Sequence, residues 1–265
     1  MNFILRAKNK GNIMKITFLG TCHGYPEKKR EYTSISIEIN DSVYLLDAGA
    51  AVYNKMMDYD IDPHKLRSVF VSHIHSDHMN GLVPLVDLFT WTRTHKGEIV
   101  DYYLPEERGI NAVKNLVGAI TAPVNEEKNR FHKYESDFVY IDENIKLTVI
   151  PTMHLKDWGG YPAYAFLVEA EGKKVLFSGD ISQNIKYDDF PAVAKRELID
   201  LFICEMAHFD FEVLRPHFKE CKLKKLYMNH VKFPDERIPL LARENESGEF
   251  PFEIVGASDG DVVII

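Results

Sequence analysis

Short apolar runs recur along the chain, and turn-forming or charged residues separate them. β-branched and aromatic residues dominate these runs, a composition typical of β-strands. The predicted strands are KITFLG, SISIEI, VYLLD, SVFVSH, IVDYYL, KLTVIP, YAFLVEA, KVLFSGD, LFICE, KLYMNH and FEIVG. Helix-like segments lie between several of them, at 49–59, 79–91, 106–120 and 211–221. Strand pairs and strand–helix alternation together predict an α/β (α+β) fold in which helices cover the sheets.

The pattern also predicts the domain organisation. The polar segment 122–137 is predicted to be an exposed loop, and it is too short to link two domains. With 265 residues, 45% of them hydrophobic, the chain can bury one large core or two small ones. We therefore expect a single domain at 14–265. Residues 1–13 are predicted to be an N-terminal extension, and the sequence leaves open whether it is ordered.

Composition and charge exclude several classes of protein. The formal net charge is −8 and Lys or Arg form no long run, so extended nucleic acid is not expected as a partner. The apolar runs fall short of the roughly 18 residues that a membrane span requires, so no membrane association is expected. The three cysteines lie far apart and form no disulfide pattern, which favours a cytoplasmic location.

Potential metal ligands follow four of the predicted strands, and VSHIHSDHMNG at 71–81 is the densest group. The carboxyl ends of strands in open α/β folds carry side chains into a crevice. The donors at these ends are His73, His75, Asp77, His78, His154, Asp180 and His230. Each of these donors also has a simpler interpretation. The cluster at 73–78 could be a polar helix start capped by Ser76 or Asp77. His154 and His230 could be ordinary histidines at strand ends, and Asp180 could be a turn aspartate.

The spacing within the cluster suits two neighbouring ions. His73 and His75 point the same way in an extended chain and can share one ion. Asp77 and His78 lie where the chain turns, so they can face a second ion. Candidates to complete both sites are His154, His230 and Asp180, whose carboxylate could bridge the pair. A site of imidazole and carboxylate ligands suits zinc, manganese or iron, and these ligand types do not distinguish among the three metals.

At this point the residues resemble a known family. SHIHSDHMNGL resembles the H-x-H-x-D-H signature of the metallo-β-lactamase superfamily, and the opening FLGTCHGYPEKKREYTSISIEINDSVYLLDAGA, which includes Asp47, is similar to its ribonuclease Z branch. The resemblance implies a four-layer αββα sandwich with two divalent ions, zinc first among them, at one edge. The implied ligands are His73, His75 and His154 for one ion, Asp77, His78 and His230 for the other, and Asp180 as the bridge. It also suggests a homodimer.

Two features depart from ribonuclease Z. Its tRNA-gripping arm lies between the third-motif histidine and the bridging aspartate, but here His154 and Asp180 are 26 positions apart (180 − 154), which fits only a hairpin. Its His-Ser-Thr segment is missing, and CEMAHFDFEVLRPHF offers Glu205, His208 and His217 instead. Both departures count against tRNA processing and leave the expected metal chemistry unchanged.

Two divalent ions roughly 3.5–4 Å apart can hold a bridging hydroxide at neutral pH, and their charge favours a small anionic substrate. We therefore predict a metal-dependent hydrolase, a phosphodiesterase acting on a small nucleotide or nucleic-acid end. The alternative is a lactonase or other carboxylic-ester or thioester hydrolase, because one ion can also polarise a carbonyl. A second alternative is a non-catalytic, metal- or ligand-binding regulatory protein.

Residues outside the ligand set are assigned to catalysis and to the pocket. Asp77 is expected to orient the hydroxide, and His208 is expected to protonate the leaving alkoxide. The alternative for His208 is a solvated histidine at the start of a helix. Residues expected to line the pocket are His23, Tyr25, Trp158 and Tyr161. For Trp158 and Tyr161, packing around the neighbouring glycine turn is the competing interpretation.

Overall fold

The structure, a computed structural model, describes residues 13–49, 51–91, 99–184 and 186–265. Most of the expected N-terminal extension, residues 1–12, lies outside the described residues. Across the described ranges, no helix is both long and apolar enough to cross a membrane.

One mixed sheet forms from the first part of the chain and its last strand. Its strands are β1 (Lys15–Gly20), β2 (Ser34–Ile39), β3 (Ser42–Leu46), β4 (Leu66–Phe70), β5 (Val100–Leu104), β6 (Asn129–Lys133) and β14 (Val262–Ile264). They lie in the order β14-β1-β2-β3-β4-β5-β6. The four strands from β3 to β6 run parallel, whereas β14, β1, β2 and β3 pair antiparallel.

A second mixed sheet repeats this plan with the later strands. It contains β7 (Val139–Ile141), β8 (Lys146–Thr152), β9 (Ala163–Ala170), β10 (Lys173–Phe177), β11 (Ile199–Glu205), β12 (Leu223–Asn229) and β13 (Glu253–Gly256). Their order is β13-β12-β11-β10-β9-β8-β7, with β10 to β13 parallel. β9 and β10 form the hairpin that was predicted between His154 and Asp180, so this prediction is confirmed.

The helices are α1 (Val52–Asp58), α2 (Ser76–Met79), α3 (Leu82–Trp91), α4 (Glu107–Ile120), α5 (Val193–Arg196), α6 (Phe211–Glu220) and α7 (Pro234–Ser247). They cover the outer faces of both sheets, except α2, which lies at the edge of the first sheet. Short 3₁₀ turns occupy Pro63–Lys65 and Lys156–Trp158.

Three groups of buried apolar residues hold these layers together. The central group, which includes Phe18, Phe70 and Phe166, fills the space between the two sheets. A second group joins the first sheet to α1, α3 and α4, and a third joins the other sheet to α5, α6 and α7. Burial of apolar surface on both faces of both sheets therefore produces the four layers α, β, β and α. This agrees with the predicted fold class.

Three local predictions need correction. The helix expected at 79–91 begins later, as α3 at Leu82, because α2 ends at Met79 and the chain then packs closely at Gly81, where a side chain would come within 1.8 Å of the Gly49 carbonyl oxygen. The loop expected at 122–137 contains β6, an edge strand whose polar sequence reflects its partial exposure. α7 was not predicted, because Pro239 and its mostly exposed polar residues hide the helical pattern.

The topology brings several strand ends to one edge of the sandwich. β8, β10, β11 and β12 run in the same direction, since the antiparallel β9 lies between β8 and β10. The carboxyl ends of β3 and β4 in the first sheet lie against them, as shown by the bond from the Tyr164 amide to the Ser72 carbonyl, 3.1 Å. Side chains that follow these strands are therefore positioned to meet.

Candidate metal centre

The structure brings together all seven donors that the sequence singled out. His73 and His75 follow β4, and Asp77 and His78 lie in the first turn of α2. His154, Asp180 and His230 follow β8, β10 and β12. The simpler reading of the cluster as a capped helix start is not supported, since no side chain caps α2. The donor atoms form two adjoining groups that share Asp180.

The first group consists of His73, His75, His154 and Asp180, whose nearest donor atoms lie within 4.8 Å of one another. The Asp180 Oδ2 atom is 3.7 Å from His73 Nε2 and 3.6 Å from His154 Nε2. His75 Nδ1 lies 3.4 Å from His154 Nε2. Three imidazoles and one carboxylate oxygen thus surround a single point, which is an arrangement suited to a divalent ion.

The second group consists of Asp77, His78 and His230, again with donor atoms within 4.8 Å of one another. Asp77 Oδ2 is 3.6 Å from both His78 Nε2 and His230 Nε2. The other oxygen of Asp180, Oδ1, is 3.4 Å from His78 Nε2 and 3.5 Å from His230 Nε2. Each oxygen of Asp180 therefore faces a different group, which is the geometry of a bridging carboxylate.

Unsatisfied polar atoms support the same interpretation. His73 Nε2, His78 Nε2 and Asp180 Oδ1 are buried, and none has a hydrogen-bond partner among the described residues. Buried polar atoms without partners are rare in folded proteins because each costs free energy. All three atoms point into the space between the two groups, so the donor set fits divalent metal ions.

Asp47 lies beside the donor groups, and sequence reasoning assigned it no role. It lies directly after β3, is fully buried, and has a left-handed backbone conformation with φ of 59°. Its carboxylate accepts hydrogen bonds from the Ser72 amide at 2.6 Å, from Ser72 Oγ at 2.9 Å and from His78 Nδ1 at 2.7 Å. An Nδ1–H bond of this kind fixes the imidazole with Nε2 as the free ligand atom.

Similar bonds orient other donors. His230 Nδ1 donates to the Cys22 carbonyl oxygen at 3.0 Å, which directs its Nε2 atom towards Asp180. Burial of His73 lowers its pKa well below the ordinary value, so its ring is neutral and can act as a ligand. Burial alone would raise the pKa of Asp180, but the neighbouring rings of His230 and His78 hold it well below its usual range. Asp180 is therefore ionised.

His208, the predicted proton donor, borders the metal groups. Its Nδ1 atom donates to Glu205 Oε1 at 2.9 Å and lies 4.0 Å from Asp180 Oδ2. Burial would lower the pKa of His208, but the Glu205 carboxylate outweighs that effect and raises it to about 9. Glu205 is itself fully engaged, since it also accepts from the amides of Ile181, Ala207 and His208. Glu205 and His208 form a third group of donors with Asp180, within 4.8 Å of one another, and the bonds of Glu205 make it the partner that positions His208.

A cavity of about 900 Å³ opens onto the site. His75, Asp77 and Asp180 form part of its wall, together with the predicted pocket residues His23 and Tyr25. Further lining residues that the sequence did not indicate are Lys232, Phe233 and Arg237. The cavity thus combines the donor groups with aromatic and cationic side chains.

Two of these lining residues have distinct structural roles. Arg237 of α7 donates to the carbonyl oxygens of Met206 and Phe209, so it holds the loop that carries His208. Lys232 forms no ion pair with a described carboxylate, and its Nζ atom lies 5.0 Å from the centre of the Phe233 ring at the cavity wall.

The structure separates the other predicted pocket residues from this cavity. Trp158 and Tyr161 line a different hollow of about 460 Å³, and His75 borders both spaces. His217, one of the three residues considered in the segment after β11, stacks on Phe190 and lines a small cavity of about 190 Å³. It does not belong to the wall of the large cavity.

Sequence similarity agrees with this architecture. A family model described as Anti-Pycsar protein Apyc1 matches residues 14–230. The chain is 29% identical to a ribonuclease Z of Bacillus velezensis over 151 residues, 56% of this chain and 48% of the relative. It is 25% identical to a ribonuclease Z of Bacillus subtilis over 185 residues, 69% of this chain and 57% of the relative. The chain spans about half the length of the curated relatives it matches.

Solved structures identify the fold. The metallo-β-lactamase fold protein YhfI from Bacillus subtilis superposes with a TM-score of 0.73 at 20% identity, covering 96% of this chain and all of that one. The short form of human tRNase Z superposes with a TM-score of 0.69 at 18% identity, covering 94% of this chain and 98% of that one. A diphosphatase of the PhnP family superposes with a TM-score of 0.68 at 17% identity, covering 94% of this chain and 97% of that one. The fold is that of the metallo-β-lactamases, as predicted.

Proposed function

This chain belongs to the Anti-Pycsar protein Apyc1 family, and from that premise we propose that it is a metal-dependent phosphodiesterase acting on a small nucleotide or nucleic-acid end. The observation that carries the proposal is the position of Asp180, whose two oxygens face two separate groups of donors. The names of its similar proteins, ribonuclease Z and a diphosphatase, support chemistry at phosphorus.

Each residue has a role in the proposed site. His73, His75 and His154 would hold one ion, Asp77, His78 and His230 the other, and Asp180 both; zinc suits the donors, with manganese and iron as alternatives. When bound, such ions supply a strongly acidified water and neutralise charge on phosphoryl oxygens. Asp77 borders the cavity and orients the attacking water, and Asp47 keeps the His78 ring in its ligating orientation.

His208 completes the reaction as a general acid. Its Nδ1–H bond to Glu205 leaves Nε2 as the atom that can reach the cavity, and the Glu205 carboxylate raises the pKa of the ring, which favours its protonated form. A protonated imidazole at the wall can donate its proton to the oxygen of the departing alcohol.

The cavity supports a small anionic substrate. Lys232 contributes a positive charge, and Tyr25 and Phe233 contribute exposed aromatic side chains at the same wall. The β9–β10 hairpin stands where ribonuclease Z carries its arm, and the net charge is −8, so we propose neither tRNA nor another extended nucleic acid as substrate. A cytoplasmic location and a homodimer remain part of the proposal.

We expect the protein loaded with zinc or manganese to hydrolyse bis-p-nitrophenyl phosphate and to leave acyl-homoserine lactones and thioesters intact. Removing the metal with a chelator should abolish the activity, and adding either ion back should restore it. Release of p-nitrophenolate measures the first reaction, and chromatography of the lactone measures the second. Hydrolysis of lactones alone would replace the proposal by the carboxylic-ester alternative, and bound metal without any hydrolysis would favour a regulatory protein.

The His208→Ala variant tests the proton donor. We expect it to slow hydrolysis of a dinucleoside monophosphate by about 10²–10⁴-fold, the usual contribution of a general acid. Hydrolysis of bis-p-nitrophenyl phosphate should change little, because p-nitrophenolate departs without a proton. Metal content, measured by elemental analysis, should equal that of the wild type. An equal loss of activity on both substrates would show that His208 acts on the metal groups rather than on the leaving group.

A further inference from the structure

The relative position of two chain segments determines the geometry of the first group of donors. His154 lies just after β8 and Asp180 just after β10, and Asp180 Oδ2 is 3.6 Å from His154 Nε2. β8 and β10 are not neighbours in the sheet, because β9 lies between them. The backbone hydrogen bonds of the sheet therefore do not join these two strand ends directly, and other contacts must keep His154 next to Asp180.

Asp189 joins the two segments. It lies, partly buried, in the segment between β10 and α5. Its Oδ2 atom accepts hydrogen bonds from the Met153 amide at 2.7 Å and from the Ser182 amide at 3.0 Å. Met153 directly precedes His154, and Ser182 is the second residue after Asp180. One carboxylate oxygen thus holds together the two segments that carry these donors, and hydrogen bonds to a charged acceptor are stronger than those between neutral groups.

A second carboxylate links the same segments further from the donors. Asp157, in the 3₁₀ turn after His154, accepts from Asn184 Nδ2 at 3.0 Å and from Tyr187 Oη at 2.6 Å. Asp157 and its two partners lie further along the chain from the donors than the residues that bond to Asp189. The contact at Asp189 therefore acts on the donors more directly.

Asp180 has anchors of its own. Thr152 Oγ1 donates to the Asp180 carbonyl oxygen at 2.8 Å. The amide of Ile181, the next residue, donates to Glu205 Oε1 at 3.1 Å. The position of Asp180 therefore does not depend on Asp189 alone.

His154 lacks the kind of bond that orients other ligand rings. His78 Nδ1 bonds to the Asp47 carboxylate at 2.7 Å, and His230 Nδ1 bonds to the Cys22 carbonyl oxygen at 3.0 Å. Among the described residues, His154 Nδ1 has no such hydrogen-bond acceptor. The position of the His154 backbone, which the bond from the preceding amide helps to fix, therefore determines where its Nε2 atom lies.

We propose that Asp189 is a positioning residue for the first group of donors, which holds His154 beside Asp180 so that both can bind the same ion. This inference rests on the metal centre of the proposed function. Asp189 acts through backbone amides, whereas Asp47 bonds to the ring of His78. A carboxamide oxygen also accepts from amides, and its NH₂ group would face the hollow of about 190 Å³ that Asp189 borders. Asparagine should therefore be tolerated at position 189.

Asp189→Ala tests the proposal through zinc binding. The zinc affinity of the first group should fall by about tenfold, the lower end of the effect of removing an outer partner of a metal ligand. The second group should keep its wild-type affinity, because Asp47 and the Cys22 carbonyl still orient its rings. Titration against a chromophoric zinc chelator measures both affinities, and long-range ¹H–¹⁵N spectra of the imidazole rings show which histidines bind each ion.

Two variants serve as controls. Asp189→Asn keeps an acceptor for both amides, so the zinc affinity of the first group should stay within about threefold of the wild type. Asp142→Ala removes a carboxylate that likewise accepts from two backbone amides, those of Asn144 at 2.8 Å and Ile145 at 2.9 Å. Asp142 follows β7, at the end of the sandwich opposite the metal groups. This variant should lose thermal stability and keep both zinc affinities.

The outcomes separate this inference from the proposed function. An unchanged affinity of the first group in Asp189→Ala, or an equal loss in both groups, would overturn the inference, as would a loss in Asp189→Asn as large as that expected for the alanine variant. The titration needs no substrate, so a wild type that binds both ions but hydrolyses no phosphodiester contradicts only the proposed function.

Hydrogen exchange in the metal-free protein gives an independent measure of the same contact. The amides of Met153 and His154 should exchange faster in Asp189→Ala than in either the wild type or Asp142→Ala, because only the first variant frees the segment after β8. Equal exchange at these amides in all three proteins would contradict the inference even if zinc affinity fell.

Discussion

Asp180→Ala is expected to remove bound metal and hydrolytic activity together. Both carboxylate oxygens lie within 3.7 Å of imidazole nitrogens, two for each oxygen, so the substitution takes a donor from both groups at once. The loss of activity should exceed the roughly 10–100-fold that follows from removing an outer partner of a metal ligand. Elemental analysis of the purified variant and the rate of bis-p-nitrophenyl phosphate hydrolysis measure the two effects.

Asp200→Ala provides a matched control for that experiment. Asp200 is also a buried carboxylate of the second sheet, but it lies at the amino end of β11, opposite the metal groups. It pairs with Lys224 at 2.7 Å and accepts from the Lys174 amide at 3.0 Å. This control should lower thermal stability and keep the metal. Retention of metal and activity by Asp180→Ala would refute the assignment of the site.

The positions of the seven donor residues could be predicted because they depend on local pattern. Each donor follows a run of apolar residues, and the carboxyl end of a strand is a location that periodicity alone can indicate. His154 and His230 carry a weaker sequence signal than the cluster at 73–78, since a single histidine after a strand has no distinctive spacing. Topology supplied what the sequence could not, namely that strand ends from two different sheets meet at one edge.

The supporting residues could not be predicted, because their partners are distant in sequence. Asp47 bonds to His78, which is 31 positions away, and Glu205 bonds to Ile181, which is 24 positions away. No periodicity links such pairs. The same reason explains Arg237, which matters only because α7 lies beside the loop that carries His208.

Surface character caused the remaining differences from the sequence-based expectations. β6 is an edge strand and α7 a largely exposed helix, so neither shows the apolar periodicity that identifies a buried element. Trp158 and Tyr161 were predicted to share the pocket with His23 and Tyr25, yet His75 separates the two pairs. Sequence proximity to His154 indicated their neighbourhood but not the side of the metal groups on which they lie.

Asp47→Ala should weaken both the fold and metal binding. The carboxylate satisfies the buried Ser72 amide and the Nδ1–H group of His78, and leaving these donors unpaired should lower the free energy of unfolding by about 2–4 kcal/mol. Metal affinity should fall by about 10–100-fold, because the His78 ring loses the bond that orients it. Chemical denaturation of the metal-free protein and titration with zinc measure these two quantities separately.

The Asp47→Asn variant distinguishes orientation of the ring from general destabilisation. Its amide oxygen can still accept from the Ser72 amide, so the free energy of unfolding should fall by less than in the alanine variant. Its NH₂ group, however, would face His78 Nδ1 and donate to it, which places the ring proton on Nε2, the atom that must bind the ion. Zinc affinity should therefore fall in Asp47→Asn about as far as in Asp47→Ala. If zinc affinity instead follows stability across the two variants, Asp47 supports the fold only and does not set the orientation of His78.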